Sequence, residues 1–149
     1  MVAVPDFEFD IRTFPEGTKT AHDAAAAIGT EVAAIVKSLV FVVQSETGEE
    51  PVLALVPGDL RLDTAALAAA AGGQNSERAS LDAVKVVTGF AAGGTPPFGH
   101  TRQLRVFADP RLRRSEPVWA AGGTPNSVFP ISISDLDRLA APIWAEIAV

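Results

Sequence analysis

Residues 38–59, "SLVFVVQSETGEEPVLALVPGD", decide the fold of the chain. Residues 38–45 are almost entirely apolar and rich in β-branched side chains, a pattern typical of a buried strand. The acidic, glycine-containing segment at 46–50 indicates a turn, and residues 51–59 form a second apolar stretch. The pattern therefore predicts a β-hairpin built from two buried strands.

Helices are predicted on both sides of this hairpin, because the segments there begin at Ser, Thr or Asp and several end at glycine. Residues 18–29 and 30–37 form two expected helices before the hairpin, and residues 62–73 and 80–89 form two after it. The expected N-cap residues are Thr20, Asp63 or Thr64, and Ser80, and the expected helix ends are Gly29, Gly72 and Gly89.

The second half of the chain is predicted to hold three more strands, at 103–109, 117–123 and 127–133. A turn or short helix is expected at 110–114, and a last helix begins with Ser134 as its N-cap. Helices and strands do not alternate strictly, which argues against a doubly wound parallel fold. The expectation is a mixed α/β (α+β) domain spanning residues 1–149, with a central, partly antiparallel sheet flanked by helices.

Composition excludes several classes of protein. The chain has 149 residues, no cysteine, two histidines and a formal net charge of −6. Disulfides, thiolate metal sites and cysteine nucleophiles are therefore ruled out, and a broad electrostatic grip on nucleic acid is not expected. No transmembrane run or signal peptide is visible, so we expect a cytoplasmic protein with neither a membrane nor DNA as partner.

No known cofactor motif is present in the sequence. It contains no P-loop, no G-x-G-x-x-G and no G-x-S-x-G. The two histidines, His22 and His100, lie in different segments and have no spacing typical of metal ligands. We therefore expect no metal and no organic cofactor.

Lys37 stands out because it is the only charged residue between Glu31 and Glu46. A buried ammonium group without a partner is costly, so it must reach either water or an anion. One interpretation is a lysine that extends its stem along the core and keeps its charge in solvent. The other is a lysine that projects into a cleft and binds a phosphate or a polarised carbonyl oxygen.

The segment "GFAAGGTPPFGH", residues 89–100, combines four glycines with two prolines. Gly93 and Gly94 can adopt positive φ, and their N–H groups could form an anion-binding nest. The two prolines stiffen the following residues. A rigid connector is the plainer interpretation, and an anion-binding loop beside Lys37 is the functional one.

The pattern "AGGTP" occurs a second time, within residues 120–127. Two such loops beside strand ends could line one cleft, with Asn126 forming hydrogen bonds there. A hairpin turn is the simpler interpretation. His100 could serve as a base or a phosphate contact, whereas His22 is expected on the surface or partly in the core.

Five of the twelve basic residues fall within thirteen positions, at Arg102, Arg105, Arg111, Arg113 and Arg114. A solvated face is the usual explanation for such a run. A local patch that faces phosphates is the alternative.

Taken in order, the segments "TAHDAAAAIG", "IVKSLVFVV", "LVPGDLRLD", "TGFAAGGTPPFGH", "LRVFADPRL" and "VWAAGGTPNSVFPIS" resemble the YbaK-type aminoacyl-tRNA deacylases. That family includes the editing domain inserted in bacterial prolyl-tRNA synthetases. The resemblance covers nearly the whole chain. It implies a cofactor-free enzyme that hydrolyses the ester of mischarged aminoacyl-tRNA in trans. Because the negative net charge predicts weak affinity for tRNA, a synthetase or elongation factor is expected as a further partner.

The resemblance also implies roles for particular residues. Lys37 corresponds to the functional lysine of the family, and residues 93–97 correspond to its G-x-x-x-P loop. The chemistry of ester hydrolysis adds an expectation of its own, that backbone N–H groups of Gly93 and Gly94, with Gly122 and Gly123 as a second pair, face the carbonyl oxygen of the ester. The expected substrate contacts are Thr95, Pro97, Phe98, His100, Gly122, Gly123 and Asn126, and the expected tRNA phosphate contacts are Arg102, Arg105 and Arg111.

One position departs from the family pattern. Relatives often carry histidine after the Thr-Pro of the second loop, where this chain has Asn126. Asparagine cannot shuttle a proton, so a competing hypothesis is a non-catalytic module that binds tRNA, a nucleotide or an amino acid. If the chain is an enzyme, a small amino acid such as Ala, Ser or Cys is the expected acyl group, and a substrate group serves as the base.

Overall fold

The computed structural model describes residues 4, 6–18 and 20–149. The helices are α1 (Ala21–Ile28), α2 (Thr64–Ala71), α3 (Leu81–Thr88) and α4 (Ile133–Ala140). The strands are β1 (Arg12–Thr13), β2 (Val36–Ser45), β3 (Gly48–Pro57), β4 (Asn75–Arg78), β5 (Arg105–Ala108), β6 (Val118–Ala121), β7 (Ser127–Ile131) and β8 (Ile143–Trp144).

The predicted hairpin is the centre of the main sheet. Strands β2 and β3 pair antiparallel over ten residues each, with Lys37 opposite Val56 and Phe41 opposite Val52. The five-stranded sheet has the order β4-β2-β3-β5-β8, in which β3, β5 and β8 run parallel. The side chains of β3 from Val52 to Val56 are fully buried, so the prediction of a mixed sheet is confirmed.

A second sheet, which the sequence pattern did not separate from the first, has the order β1-β7-β6. Its strands are antiparallel, and a parallel bridge between Ile35 and Trp119 joins it to the chain just before β2 begins. Strand β1 pairs with β7 and forms one edge of this second sheet.

Three helices begin and end where their capping residues predict. The hydroxyl of Thr20 accepts a hydrogen bond from the Asp23 N–H at 3.0 Å. Asp63 caps α2 through the N–H groups of residues 65 and 66, and Ser80 caps α3. Each of these helices ends at a glycine with positive φ, a conformation that costs glycine little.

Two predicted helices are wrong in part. Residues 30–37 form only a short 3₁₀ turn, Val32–Ala34, before β2 begins at Val36. Pairing with β3 and the bridge to Trp119 hold these β-branched residues extended. The last helix is capped by Ser132 rather than Ser134 and ends at Ala140, and residues beyond Pro142 form β8 instead.

Candidate active site

A cavity of about 580 Å³ lies beside the first half of β2. Strand β4 pairs with β2 from Phe41 to Gln44, and the Ala79 N–H bonds the Val40 carbonyl oxygen beyond it. The second sheet pairs with Ile35, just before β2 begins. The edge between these two contacts is open, and all four residues from 36 to 39 line the cavity. The gap in the sheet therefore creates the site.

Lys37 extends from β2 into this cavity. Its Nζ donates a hydrogen bond to the carbonyl oxygen of Leu60, in the turn that follows β3. Burial lowers the pKa of Lys37 below its ordinary value of 10.5; nearby Asp59 opposes this shift, and Arg61 adds to it. The lysine is a half-buried cation on a cavity wall, as the cleft interpretation requires.

The glycine-proline loop reaches the same cavity through Gly93 and Thr95. Gly93 has φ +89° and an open space where a side chain would stand. Within the described residues its N–H donates no hydrogen bond to the protein. The Gly94 N–H, in contrast, donates to the carbonyl oxygen of Ala91 at 3.0 Å. The Gly94 N–H is therefore used within the loop, and of these two glycines only Gly93 has an N–H without a partner in the described structure.

The two "AGGTP" loops pack against each other, but the glycines of the second do not line the cavity. The Gly123 N–H donates to the Gly94 carbonyl oxygen, and the Gly122 N–H donates to the Ser127 carbonyl oxygen. Both N–H groups are thus committed to structure rather than to substrate. Asn126 is exposed and also lies off the cavity wall.

The residues after Thr95 point away from the cavity. Phe98 is 6% exposed and packs among Phe7, Phe9 and Phe129 with ring centroids 5.8–6.1 Å away, so it offers no face to a base. Pro97 is buried. The His100 ring bonds the Pro96 carbonyl oxygen at 2.6 Å, and burial lowers the pKa of His100. These residues support the loop instead of lining the site.

Two arginines of the predicted phosphate patch have structural partners instead. Arg105 forms a bidentate ion pair with the carboxylate of Glu50, with N···O distances of 2.7 and 2.8 Å. Arg111 binds the buried carboxylate of Asp109 and the Ala148 carbonyl oxygen. Neither lines the cavity, and Arg102 does not line it either.

Other charged residues on the wall were missed from the sequence. Arg61 and Arg78 line the cavity, and neither forms an ion pair within the described residues. Asp59 lines it too, but its carboxylate is held by Arg114 at 2.8 Å, which keeps the pKa of Asp59 low. His22, expected to be a surface or partly core residue, is exposed on α1 and belongs to the wall as well.

Among the described residues, no three His, Cys, Asp or Glu side chains cluster closely enough to hold a metal ion. None of the helices in the described part of the chain is long and apolar enough to cross a bilayer. What the cavity does offer is a cationic wall with one free glycine N–H. Lys37, Arg61 and Arg78 on one wall, together with an unused N–H, are groups of the kind that proteins use to bind anionic ligands.

Comparison with known proteins identifies the family to which the chain belongs. Residues 15–139 match the family model described as aminoacyl-tRNA editing domain, and the chain belongs to this family. The Escherichia coli K12 protein "Multifunctional Ser/Thr-tRNA deacylase ProXp-y" is 34% identical over 116 residues, which are 76% of this chain and 69% of that one. The proline–tRNA ligase of Maridesulfovibrio salexigens is 38% identical over 71% of this chain and 17% of its own length.

A solved structure supports the same assignment. A crystal structure described as a proposed trans-editing enzyme for prolyl tRNA synthetase is 39% identical and superposes with a TM-score of 0.84, covering 95% of this chain and 87% of that one. The predictions of the family, of the mixed α/β fold and of a deacylase that edits aminoacyl-tRNA are confirmed.

Proposed function

We propose that the cavity beside β2 receives the aminoacylated 3′ end of a tRNA and hydrolyses the ester in trans. The observation that carries this proposal is that Lys37, from β2, and Gly93, from the glycine-proline loop, line one cavity. The whole of residues 1–149 then serves as one editing domain. It works in the cytoplasm, where aminoacyl-tRNA is used.

Gly93 is the proposed donor to the developing oxyanion. An aminoacyl ester is already activated, so its hydrolysis needs a placed water and stabilisation of negative charge on the carbonyl oxygen. A backbone N–H that is free in the folded protein supplies that stabilisation without reorganisation. Gly93 meets this condition, whereas Gly94, Gly122 and Gly123 donate within the protein.

Lys37 is proposed to hold the phosphate or the ester end of the terminal nucleotide. Its bond to the Leu60 carbonyl oxygen aims the ammonium group along the cavity wall. An ammonium group has three donors, so one can stay on Leu60 while others contact the substrate. Partial burial strengthens its attraction to an anion, because water screens the pair less.

Phosphates of the single-stranded 3′ end are proposed to contact Arg61 and Arg78. These arginines lie on the wall and are free of protein carboxylates in the described structure. The body of the protein carries a net charge of −6, so capture of tRNA depends on these few cations. A synthetase or elongation factor that delivers the tRNA is a further proposed partner.

The base is proposed to be a substrate group, such as the neighbouring ribose hydroxyl. Of the wall residues that accept protons, Asp59 is tied to Arg114, which leaves His22 as the protein alternative. A His22→Asn variant separates the two, with the pH–rate profile as readout. We expect an unchanged profile; loss of an inflection that the unmodified protein shows would assign the base to His22.

A panel of mischarged tRNAs tests the proposal. Hydrolysis is measured for alanyl, seryl, cysteinyl, threonyl and prolyl esters, with the unmodified protein and with Lys37→Ala. Lys85→Ala is the matched control, because Lys85 is exposed on α3 and lies off the cavity wall. We expect hydrolysis of at least one small aminoacyl ester that disappears only in Lys37→Ala. Full activity of that variant, or no hydrolysis of any ester, would refute the proposal.

A further inference from the structure

The hydroxyl of Ser38 is a buried polar group without a hydrogen-bond partner in the described structure. Buried polar groups in native proteins nearly always have a partner, and one that lacks a partner calls for an explanation. Ser38 follows Lys37 on β2 and lines the cavity, so a ligand could supply the missing partner.

The main-chain N–H and C=O groups of Ser38 face the unpaired edge of β2. The Val40 carbonyl oxygen accepts a hydrogen bond from the Ala79 N–H at 3.1 Å, so its main-chain groups face the β4 side of β2. Groups two residues apart on a strand face the same side. The N–H and C=O of Ser38 therefore face that side too, beyond the point where the ladder of β4 ends at Arg78.

Behind Ser38 lies a recess of about 30 Å³. Its wall includes Ala79, Val84 and Ala92, and it shares Ser38 and Thr95 with the main cavity. The recess is far smaller than the main cavity, whose volume is about 580 Å³. We therefore expect it to suit a small side chain, such as the CH₂OH group of serine, better than a pyrrolidine ring.

We propose that Ser38 determines the amino-acid specificity of the deacylase and selects a seryl ester. The side chain of the acyl group enters the recess, and its hydroxyl hydrogen-bonds the Ser38 hydroxyl. An alanyl ester fits the same space but leaves the Ser38 hydroxyl unpaired and displaces any water that had bonded to it. This inference rests on the proposed function and adds the substrate class to it.

The test compares seryl and alanyl esters on the same tRNA, in the unmodified protein and in Ser38→Ala. We expect the unmodified protein to favour the seryl ester in kcat/KM. In Ser38→Ala the seryl rate drops roughly tenfold, about the value of one hydrogen bond, while the alanyl rate is unchanged or higher. Ser45→Ala is the control, because Ser45 lies at the other end of β2 and off the cavity wall.

Two outcomes overturn the inference alone, provided that hydrolysis still depends on Lys37. One is an unmodified protein with no seryl preference, and the other is an equal fall of both rates in Ser38→Ala. An absence of hydrolysis with every ester overturns both this inference and the proposed function.

A binding measurement and a melting curve keep the test decisive. Stable analogues with a seryl or alanyl amide on the terminal adenosine are titrated into each variant, and only the seryl analogue should lose affinity in Ser38→Ala. That variant also removes an unpaired buried hydroxyl, so we expect its Tm to be equal or higher. If it nevertheless unfolds, Ser38→Thr keeps the hydroxyl and should keep the seryl preference, and loss of the preference there contradicts the inference.

Discussion

The Gly123 N–H donates a hydrogen bond of 3.0 Å to the Gly94 carbonyl oxygen, and this bond joins the two "AGGTP" loops. A Cβ atom on Gly94 would stand 2.9 Å from the main chain of Thr124, closer than carbon atoms pack. The second loop therefore acts as a brace behind the first. We infer that this contact keeps the neighbouring Gly93 at the cavity.

Gly94→Ala should disrupt this brace. The added methyl group meets main-chain atoms that cannot rotate away, so we expect the loops to separate, with a lower Tm and loss of hydrolysis. Gly99→Ala is the matched control: Gly99 has φ +82° and open space around it, so alanine there costs only backbone strain of about 1 kcal/mol. Equal melting temperatures for the two variants would contradict the role of the brace.

Lys37→Met should remove activity without loss of stability. Because the pKa of Lys37 is lowered in the folded protein, the unfolded chain binds this proton more tightly. The stability of the unmodified protein therefore rises with pH between that lowered pKa and 10.5, and at neutral pH the charged lysine carries its full burial cost.

Denaturant unfolding at pH 7 and at pH 10 measures this effect, and deacylation gives the activity. We expect Lys37→Met to be at least as stable as the unmodified protein at pH 7, to lose the alkaline rise, and to hydrolyse its ester about a hundredfold more slowly or worse. Lys85→Met should match the unmodified protein in all three. A marked loss of stability in Lys37→Met would make the lysine a structural residue.

The sequence predicted the parts of the fold that local patterns determine. The β2–β3 hairpin and the caps at Thr20, Asp63 and Ser80 follow from neighbouring residues alone. Strand β4 escaped prediction because its sequence, "NSER", is polar and lies at a sheet edge. Residues 30–37 were predicted to form a helix, but they contain only a 3₁₀ turn. The residues after this turn are extended because they pair with β3, which a local pattern does not reveal.

Some residues of the site could likewise be predicted from the sequence, and others could not. Lys37 and Gly93 were found because a lone charge and a glycine run are anomalies that composition reveals. The ion pair of Arg105 was not predicted, because its partner Glu50 lies 55 residues away in the chain. Ser38 and Arg78 are unremarkable in sequence, and only the gap between β4 and the second sheet brings them to a cavity.

Asp109→Asn should destabilise the fold at the C-terminal end without touching the cavity wall. The fully buried carboxylate accepts hydrogen bonds from Arg111 and from the N–H groups of Ile147 and Ala148. Burial alone raises the pKa of Asp109, but these hydrogen bonds together lower it below its ordinary value of 3.8. We expect the variant to lose at least about 2 kcal/mol at pH 7.

The pH dependence gives an independent check on Asp109. Because the pKa of Asp109 is lowered in the folded protein, its carboxylate makes its full contribution to stability when the pH is well above 3.8. This contribution is lost as the pH falls below 3.8 and through the lowered pKa. Acid unfolding curves should therefore be less steep for Asp109→Asn than for the unmodified protein. Curves that coincide after allowance for the lower starting stability would show that the carboxylate is not specially stabilised.

Arg61 and Arg78 should account for the salt dependence of tRNA binding. Each phosphate contact on a single strand contributes roughly 0.7 to the slope of log K against log salt concentration, because a bound cation displaces condensed counterions. We therefore expect the double variant Arg61→Gln, Arg78→Gln to bind a stable aminoacyl-tRNA analogue more weakly and with a slope smaller by roughly 1.4.

Arg105→Gln is the control, since the guanidinium group of Arg105 is held by Glu50 and lies off the cavity wall. It should leave the slope unchanged. If instead Arg105→Gln lowered the slope and the double variant did not, the tRNA phosphates would contact the arginines of residues 102–114, and the cavity arginines would have no role in tRNA binding.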